Sequence, residues 1–232
     1  MTRFDGSFLV QQPWQDMLFA GLRLSLELWS ISLVLALPLA LTIAVLRLAP
    51  FRIARFAGAG FVEGVRNIPL LALMLFWYFA VPELLPAQLK DRLYAGNYEE
   101  TAAIAALVLY AAAFMSEDIR SGVRAISKVQ LEAARALGFG YLRALRWVVL
   151  PQAIRVIMPP LLSQTLNLWK NTSIATVIGS AELMGQAAKV ESATFHSLEP
   201  FAFATASYLT VSLAVGALAT LFQRRYPVRT VA

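Results

Sequence analysis

The sequence contains no cysteine, and its 232 residues include a single histidine, His196. Disulfides, thiolate nucleophiles and cysteine zinc sites are therefore excluded, and one histidine leaves a histidine-based metal centre without a ligand set, so no metal is expected. Also missing is any G-x-x-x-x-G-K-[ST] phosphate loop. The chain has no route of that kind to ATP, and must draw on another chain for energy if it does work. Charged residues are scarce at 15%, against 59% hydrophobic residues and a mean hydropathy of +0.63. That is too apolar for an ordinary soluble domain, and the length is too short for several of them. The net charge is +6, yet the basic residues lie between apolar runs instead of clustering on a soluble face. The pattern is topological and nucleic acid is not an expected partner. No acid/base or nucleophile arrangement is evident, so no catalytic residue and no cofactor is assigned.

What the sequence has is long apolar runs. Five stretches are suited to a hydrocarbon core about 30 Å thick, which takes roughly 20 helical residues. They run about Leu22 to Leu46, Val65 to Leu85, Thr101 to Met115, Val156 to Ile178 and Phe201 to Phe222, the third extending through Ile119 so that Glu117 and Asp118 lie near its end. The first run is longer than a signal-peptide core and only Arg3 precedes it on the basic side, so it reads as a retained helix, with Gln12 to Ala20 as a short interfacial helix leading in. The expectation is an all-α integral membrane domain at 21–223, with an outer or interfacial segment at 1–20 and a tail at 224–232.

The basic residues set the orientation. Arg47, Arg52 and Arg55 follow span one; Arg120, Arg124, Lys128, Arg135, Arg143, Arg146 and Arg155 follow span three; Arg224, Arg225 and Arg229 end the chain. The opposite side has Arg3, Lys90, Arg92 and Lys189 against Glu83, Asp91, Glu99, Glu100, Glu182 and Glu191. The N-terminus is expected outside and the C-terminus inside.

This places a long loop, about 117–155, in the cytoplasm, more than a bundle connection needs. From Ile126 to Leu137 it holds good helix formers, with Gln130, Ala133, Ala134, Leu137 and Tyr141 recurring on one mostly small face. Gly138 and Gly140 stop or bend that helix. A second amphipathic turn follows, Leu142, Leu145, Val148 and Val149 opposing Arg143 and Arg146, until Pro151 opens span four. A small-residue face admits a close backbone. Two readings stand for it: docking of another chain, or packing on this protein's own helix ends.

Glu132-Ala133-Ala134, three residues, Gly138, nine residues, then Val148-Val149-Leu150-Pro151 resembles the EAA loop of ABC-transporter permease subunits, with valine where that pattern commonly has isoleucine. "VRNIPLLALMLFWYFAVPELLP" from Val65 and "LPQAIRVIMPPLLSQTLNLWKNTSIATVIGSAEL" from Leu150 are similar to segments of the polar amino acid permeases, which handle histidine, glutamine, arginine and glutamate. Within that group Arg66-Asn67 before Ile68-Pro69, the Pro82-Glu83-Leu84-Leu85-Pro86 run and Lys170-Asn171 most resemble glutamate/aspartate permeases. About 160 residues, from roughly 60 to 222, carry the resemblance. It implies the type-1 ABC permease fold with five transmembrane helices and a multi-pass location in a bacterial inner membrane. It implies that Glu132, Ala133, Ala134, Leu137 and Gly138 form a coupling helix docked on a cytoplasmic ATP-binding subunit dimer. The implied partners also include a second permease subunit, identical or similar, and a periplasmic substrate-binding protein, besides the surrounding lipid.

Polar groups at membrane depth mark the substrate path. Lys170 is the clearest, since a lysine near a helix centre costs about 2.5–3.5 kcal/mol on insertion scales and tends to face a cavity or a partner. Asn171, Thr172 and Ser173 beside it offer donors and acceptors, a set suited to a carboxylate. Alternatives are an ion pair of Lys170 with Glu117, or snorkelling. Glu117 either orients the path or pairs with Arg120; Arg66, with Asn67 and Glu63 at the entrance to span two, is either a gate or a topological charge. The rival classes are an ion-gradient-driven carrier or channel and a membrane-bound enzyme, for which the sequence offers neither repeat symmetry nor a catalytic constellation.

Overall fold

A computed structural model describes residues 12–225, and within them the only regular structure is helical. The order is α1 (Trp14–Leu48), α2 (Arg52–Arg66), α3 (Leu70–Leu75) continued by a π turn (Phe76–Ala80) and a 3-10 turn (Pro82–Leu84), α4 (Ala87–Tyr94) and α5 (Tyr98–Arg124). Then come α6 (Lys128–Ala136), α7 (Tyr141–Ala144), a π turn (Leu145–Val149), α8 (Leu150–Asn171), a 3-10 turn (Thr172–Ile178), α9 (Leu183–Thr194) and α10 (Leu198–Arg225). Residues 1–11 and 226–232, with Arg3 and Arg229 of the charge pattern, lie outside the described range.

Four stretches are long and apolar enough to cross a membrane: Trp14–Leu48, Tyr98–Arg124, Tyr141–Ile178 and Leu198–Arg225. The fifth exists only if Arg52–Arg66 and Leu70–Ala80 count together across a bend of 101°. The single helix expected from Val65 to Leu85 is thus corrected. Pro69 lacks an N–H and drives Ile68 out of the helical region, and Asn67 closes α2 by donating from Nδ2 to the Glu63 carbonyl at 2.7 Å. The residues at the break, Arg66 to Pro69, are exposed. Beyond it the chain runs alongside α5 from Phe114, over which the Arg66 guanidinium sits, to Tyr98, on which Tyr78 stacks at 5.4 Å between centroids.

Two further expectations change. Gln12 to Ala20 is not a separate interfacial helix, because α1 is continuous from Trp14; Gly21 does not interrupt it but lets α9 approach, a Cβ there falling 2.9 Å from the Leu183 Cα. Likewise α5 reaches Arg124, so the connection to span four begins at Ala125.

The core is built from small residues. Gly21, Ser25, Ser32, Ala36 and Ala40 form the buried stripe of α1, and Ala102, Ala103, Ala106, Ala111, Ala112 and Ala113 give α5 a similar surface. In lipid, where apolar burial alone does not drive helices together, such faces gain from close backbone contact. Helices α1 and α5 form the central pair; α8 packs on α5, α9 on α1, and α10 on α8 and α9. α10 buries little besides Glu199, Pro200, Ala204 and Ala219.

Candidate functional site

The segment that carries the expected coupling residues forms two short helices joined at glycine. α6 starts at Ser127, whose Oγ accepts from the Val129 N–H at 3.3 Å. It ends in a Schellman arrangement: the Gly138 N–H donates to the Arg135 carbonyl at 3.0 Å and the Phe139 N–H to the Ala134 carbonyl at 3.1 Å. Gly138 has φ +86°, in the left-handed region that glycine enters without strain. The two readings of the alanine face divide between its residues. Ala134 is buried where α6 meets α7 and the Leu145–Val149 turn, whereas Glu132, Ala133 and Leu137 are exposed, Leu137 at 78%. Tyr141, Leu142 and Trp147 extend the uncovered apolar surface.

The second candidate is a recess of about 410 Å³ between α5 and α8, lined by Tyr110, Phe114, Gln164, Asn167, Lys170 and Asn171. Phe114 is one wall, and it carries the Arg66 guanidinium 4.7 Å from its ring centroid; Arg66 does not itself line the recess and also lies within electrostatic reach of Glu117 and Asp118. No carboxylate is among the residues lining the recess, but the Asp118 carboxyl is hydrogen-bonded to Gln164 at its edge. Lys170 does not pair with Glu117, whose carboxylate is occupied by Arg120 of its own helix and by Arg47 at the end of α1. The 3-10 winding that follows α8 separates the expected quartet. Lys170 and Asn171 reach the recess, but Thr172 is fully buried with its Oγ1 donating to the Trp169 carbonyl at 2.8 Å. Ser173 Oγ donates to the Lys170 carbonyl at 2.8 Å. Asn67 acts locally as the cap of α2.

Sequence reading missed Tyr110, Phe114, Gln164 and Asn167. A signal was present: Gln164, Asn167 and Asn171 repeat at helical spacing and form one polar stripe within the apolar run of α8. It also treated Glu182 as a topological charge, although this residue is fully buried. Gly60 and Gly64 make no close contact within the chain; Gly58 and Val62 are the buried positions of α2.

The sequence profile of the family described as "binding-protein-dependent transport system inner membrane component" matches residues 30–227. Among individual proteins, the chain is 40% identical over 181 residues to the probable glutamine ABC transporter permease protein GlnM of Bacillus subtilis (strain 168), covering 77% of this chain and 79% of that one. It is 31% identical over 229 residues to the glutamate/aspartate import permease protein GltJ of Escherichia coli (strain K12), covering 95% and 93%. The crystal structure of an amino acid ABC transporter with histidines superposes with a TM-score of 0.84 at 29% identity, covering 97% of this chain and 100% of the other. The chain is accordingly a non-catalytic transport subunit, with ATP hydrolysis on a separate chain. The chain belongs to the binding-protein-dependent transport system inner membrane component family, among the permease subunits of amino acid ABC importers.

Proposed function

We propose that the chain is one of two permease subunits in an inner-membrane importer of polar amino acids, with glutamate and aspartate as its preferred cargo. The observation that carries the reading is the recess at Phe114: the Lys170 ammonium lines it with the amides of Gln164, Asn167 and Asn171, Arg66 stands over its Phe114 wall, and the nearby carboxylates have partners of their own, Asp118 bonding Gln164 and Glu117 its arginines. An ammonium and a guanidinium next to amide donors suit a carboxylate ligand. The N-terminus lies outside and the C-terminus inside, as the distribution of Lys and Arg requires. The second permease subunit covers the open side of the recess, and a periplasmic binding protein delivers the substrate.

Energy from a partner ATPase is needed for such a cargo. Moving one negative charge into a cell that is negative inside costs about 2.3 kcal/mol per 100 mV. Each tenfold of accumulation adds about 1.4 kcal/mol. Closure of the ATPase pair pushes on α6 through Glu132, Ala133, Ala134, Leu137 and Gly138, and shifts the bundle between inward-facing and outward-facing states that ATP and the loaded binding protein favour differently.

A second reading, glutamine, is favoured by the three neutral amides in the recess and by the similarity to GlnM. The test is uptake in vesicles holding the permease, its co-purifying ATPase and the binding protein. Glutamate uptake that needs ATP, is inhibited by aspartate and is little affected by glutamine supports the first reading; the reverse order of inhibition selects the second. Uptake that follows an ion gradient without ATP would overturn both.

A further inference from the structure

Glu182 is a fully buried acid, and nothing in the transport scheme above uses it. Its carboxylate is completely inaccessible and has no lysine or arginine paired with it among the described residues. Four neutral donors surround it instead. Oε1 accepts from Thr176 Oγ1 and from the Gly185 N–H at 2.8 Å; Oε2 accepts from Ser25 Oγ at 3.0 Å and Tyr208 Oη at 2.8 Å. Two donors per oxygen fill the acceptor sites of a carboxylate. The donors come from α1, the 3-10 turn, α9 and α10, and Ser25 Oγ accepts in turn from the Leu183 N–H at 3.0 Å.

We infer that Glu182 is a positioning residue for the substrate recess: it locks the Thr172–Ile178 turn to α1, α9 and α10, so that Lys170 and Asn171 are held against α5. The inference rests on the recess being the path proposed above. The connection from Glu182 to the recess is short and continuous. The turn that carries Thr176 begins directly after Asn171. Tyr208, which donates to Glu182, also receives the Trp169 Nε1–H at its carbonyl at 3.2 Å, and its ring lies 5.0 Å from that of Trp169, the neighbour of Lys170. Trp169 in turn packs at 5.9 Å on Trp29 of α1, whose Nε1–H donates to the Thr165 carbonyl at 3.0 Å. Withdrawing any one of the four elements strips a donor from a charge in a low-dielectric interior, where an incomplete network is unfavourable. The four elements therefore move together, and the recess moves with them.

Glu182→Gln is the discriminating variant because it keeps the shape. Its amide oxygen serves Thr176 and the Gly185 N–H, which cannot reverse, while its NH2 faces two hydroxyls that can rotate; the fold is kept and the charge that strengthens all four bonds is lost. Because the natural chain has no cysteine, Lys170→Cys supplies a single thiol whose reaction with a charged methanethiosulfonate reports the position of the recess without any transport. In the purified complex, adding Glu182→Gln is expected to change that labelling rate about tenfold, the factor for about 1.4 kcal/mol. In the chain that retains Lys170, the same substitution is expected to raise the KM for uptake with Vmax and ATPase co-purification largely kept, a split that a role in assembly alone does not produce. An unchanged labelling rate overturns the inference. Should Glu182→Gln not assemble, Tyr208→Phe and Ser25→Ala each remove one donor and leave the carboxylate, and the same comparison applies. Amino acid uptake that never appears, with labelling still shifted, removes the proposed cargo and leaves the lock standing; normal uptake with labelling unshifted does the opposite.

Discussion

Gly58 of α2 lies directly against Arg47 of α1: a Cβ at Gly58 would stand 2.8 Å from the Arg47 Cγ, and the guanidinium beyond it pairs with Glu117 of α5. One glycine of α2 thus makes room for the side chain that ties α1 to α5. All three charges are largely shielded, Arg47 at 14%, Glu117 at 22% and Arg120 at 17% side-chain exposure. Removing the acid leaves two arginines facing each other. Glu117→Gln is expected to destabilise the bundle by about 2 kcal/mol, below the range for a fully buried pair because solvent still reaches the site. The double variant with Arg47→Met is expected to recover part of that loss in a detergent melt. Gly58→Leu should resemble Glu117→Gln, since it evicts Arg47 from its place. Additive losses in the double variant would show that the pair does not hold α1 to α5.

Gly122 is a second contact point, between α5 and α8. A Cβ there would lie 2.3 Å from Ile157 Cγ1 and 3.4 Å from the Ile157 Cα. Gly122→Ala is expected to cost about 1–3 kcal/mol by overpacking. Ile157→Ala in the same chain clears the space, so the pair should be more stable than Gly122→Ala alone. If Gly122→Ala melts with the natural protein, the two helices are not in the close contact described.

For the recess the expectation concerns charge at Lys170. Lys170→Met removes an ammonium that hydrogen-bonds a carboxylate, an interaction of about 1.5–3 kcal/mol, and should raise the KM for glutamate between about tenfold and a hundredfold. Lys170→Arg should fall between the two. Thr172→Val, in contrast, should act on stability more than on KM, because its hydroxyl serves the Trp169 carbonyl away from the recess. Equal KM values for the natural chain and Lys170→Met would remove Lys170 from the path.

These sites differ in how far the sequence revealed them, and the difference is physical. Apolar run length located α1, α5, α8 and α10, because a membrane imposes that length on any helix crossing it. The same rule misread Val65 to Leu85: hydropathy does not register a bend, although Asn67-Ile68-Pro69 spells one. Helix α6 was legible because its capping is local, Ser127 at one end and Gly138 at the other. Lys170 stood out as a charge in apolar surroundings and Arg66 as one at the entrance to span two, but Phe114, which both approach, belongs to a third helix and only tertiary packing brings it there. Glu182 was hidden for a related reason. Its four donors span Ser25 to Tyr208, and nothing near residue 182 distinguishes a locked carboxylate from a solvated one.

Helix α6, proposed above to dock the ATPase, yields the sharpest test of local geometry against surface. At Gly138 a Cβ would meet nothing within 4 Å, so any effect of substitution there comes from the φ of +86° and not from crowding. Asn tolerates that region, Ala costs roughly 1 kcal/mol and a β-branched residue more. Gly138→Asn should therefore keep ATPase co-purification, Gly138→Ala weaken it and Gly138→Val abolish it, in that order. Leu137→Asp leaves the backbone alone and puts a charge on the exposed surface; it is expected to abolish co-purification while the bundle melts as before. If the Gly138 series loses the ATPase in order of side-chain size irrespective of backbone tolerance, so that Asn is worse than Ala, then the partner's surface comes up against position 138 itself and the Schellman turn is not what presents the helix. If Leu137→Asp has no effect, docking uses the Tyr141–Trp147 surface in place of α6.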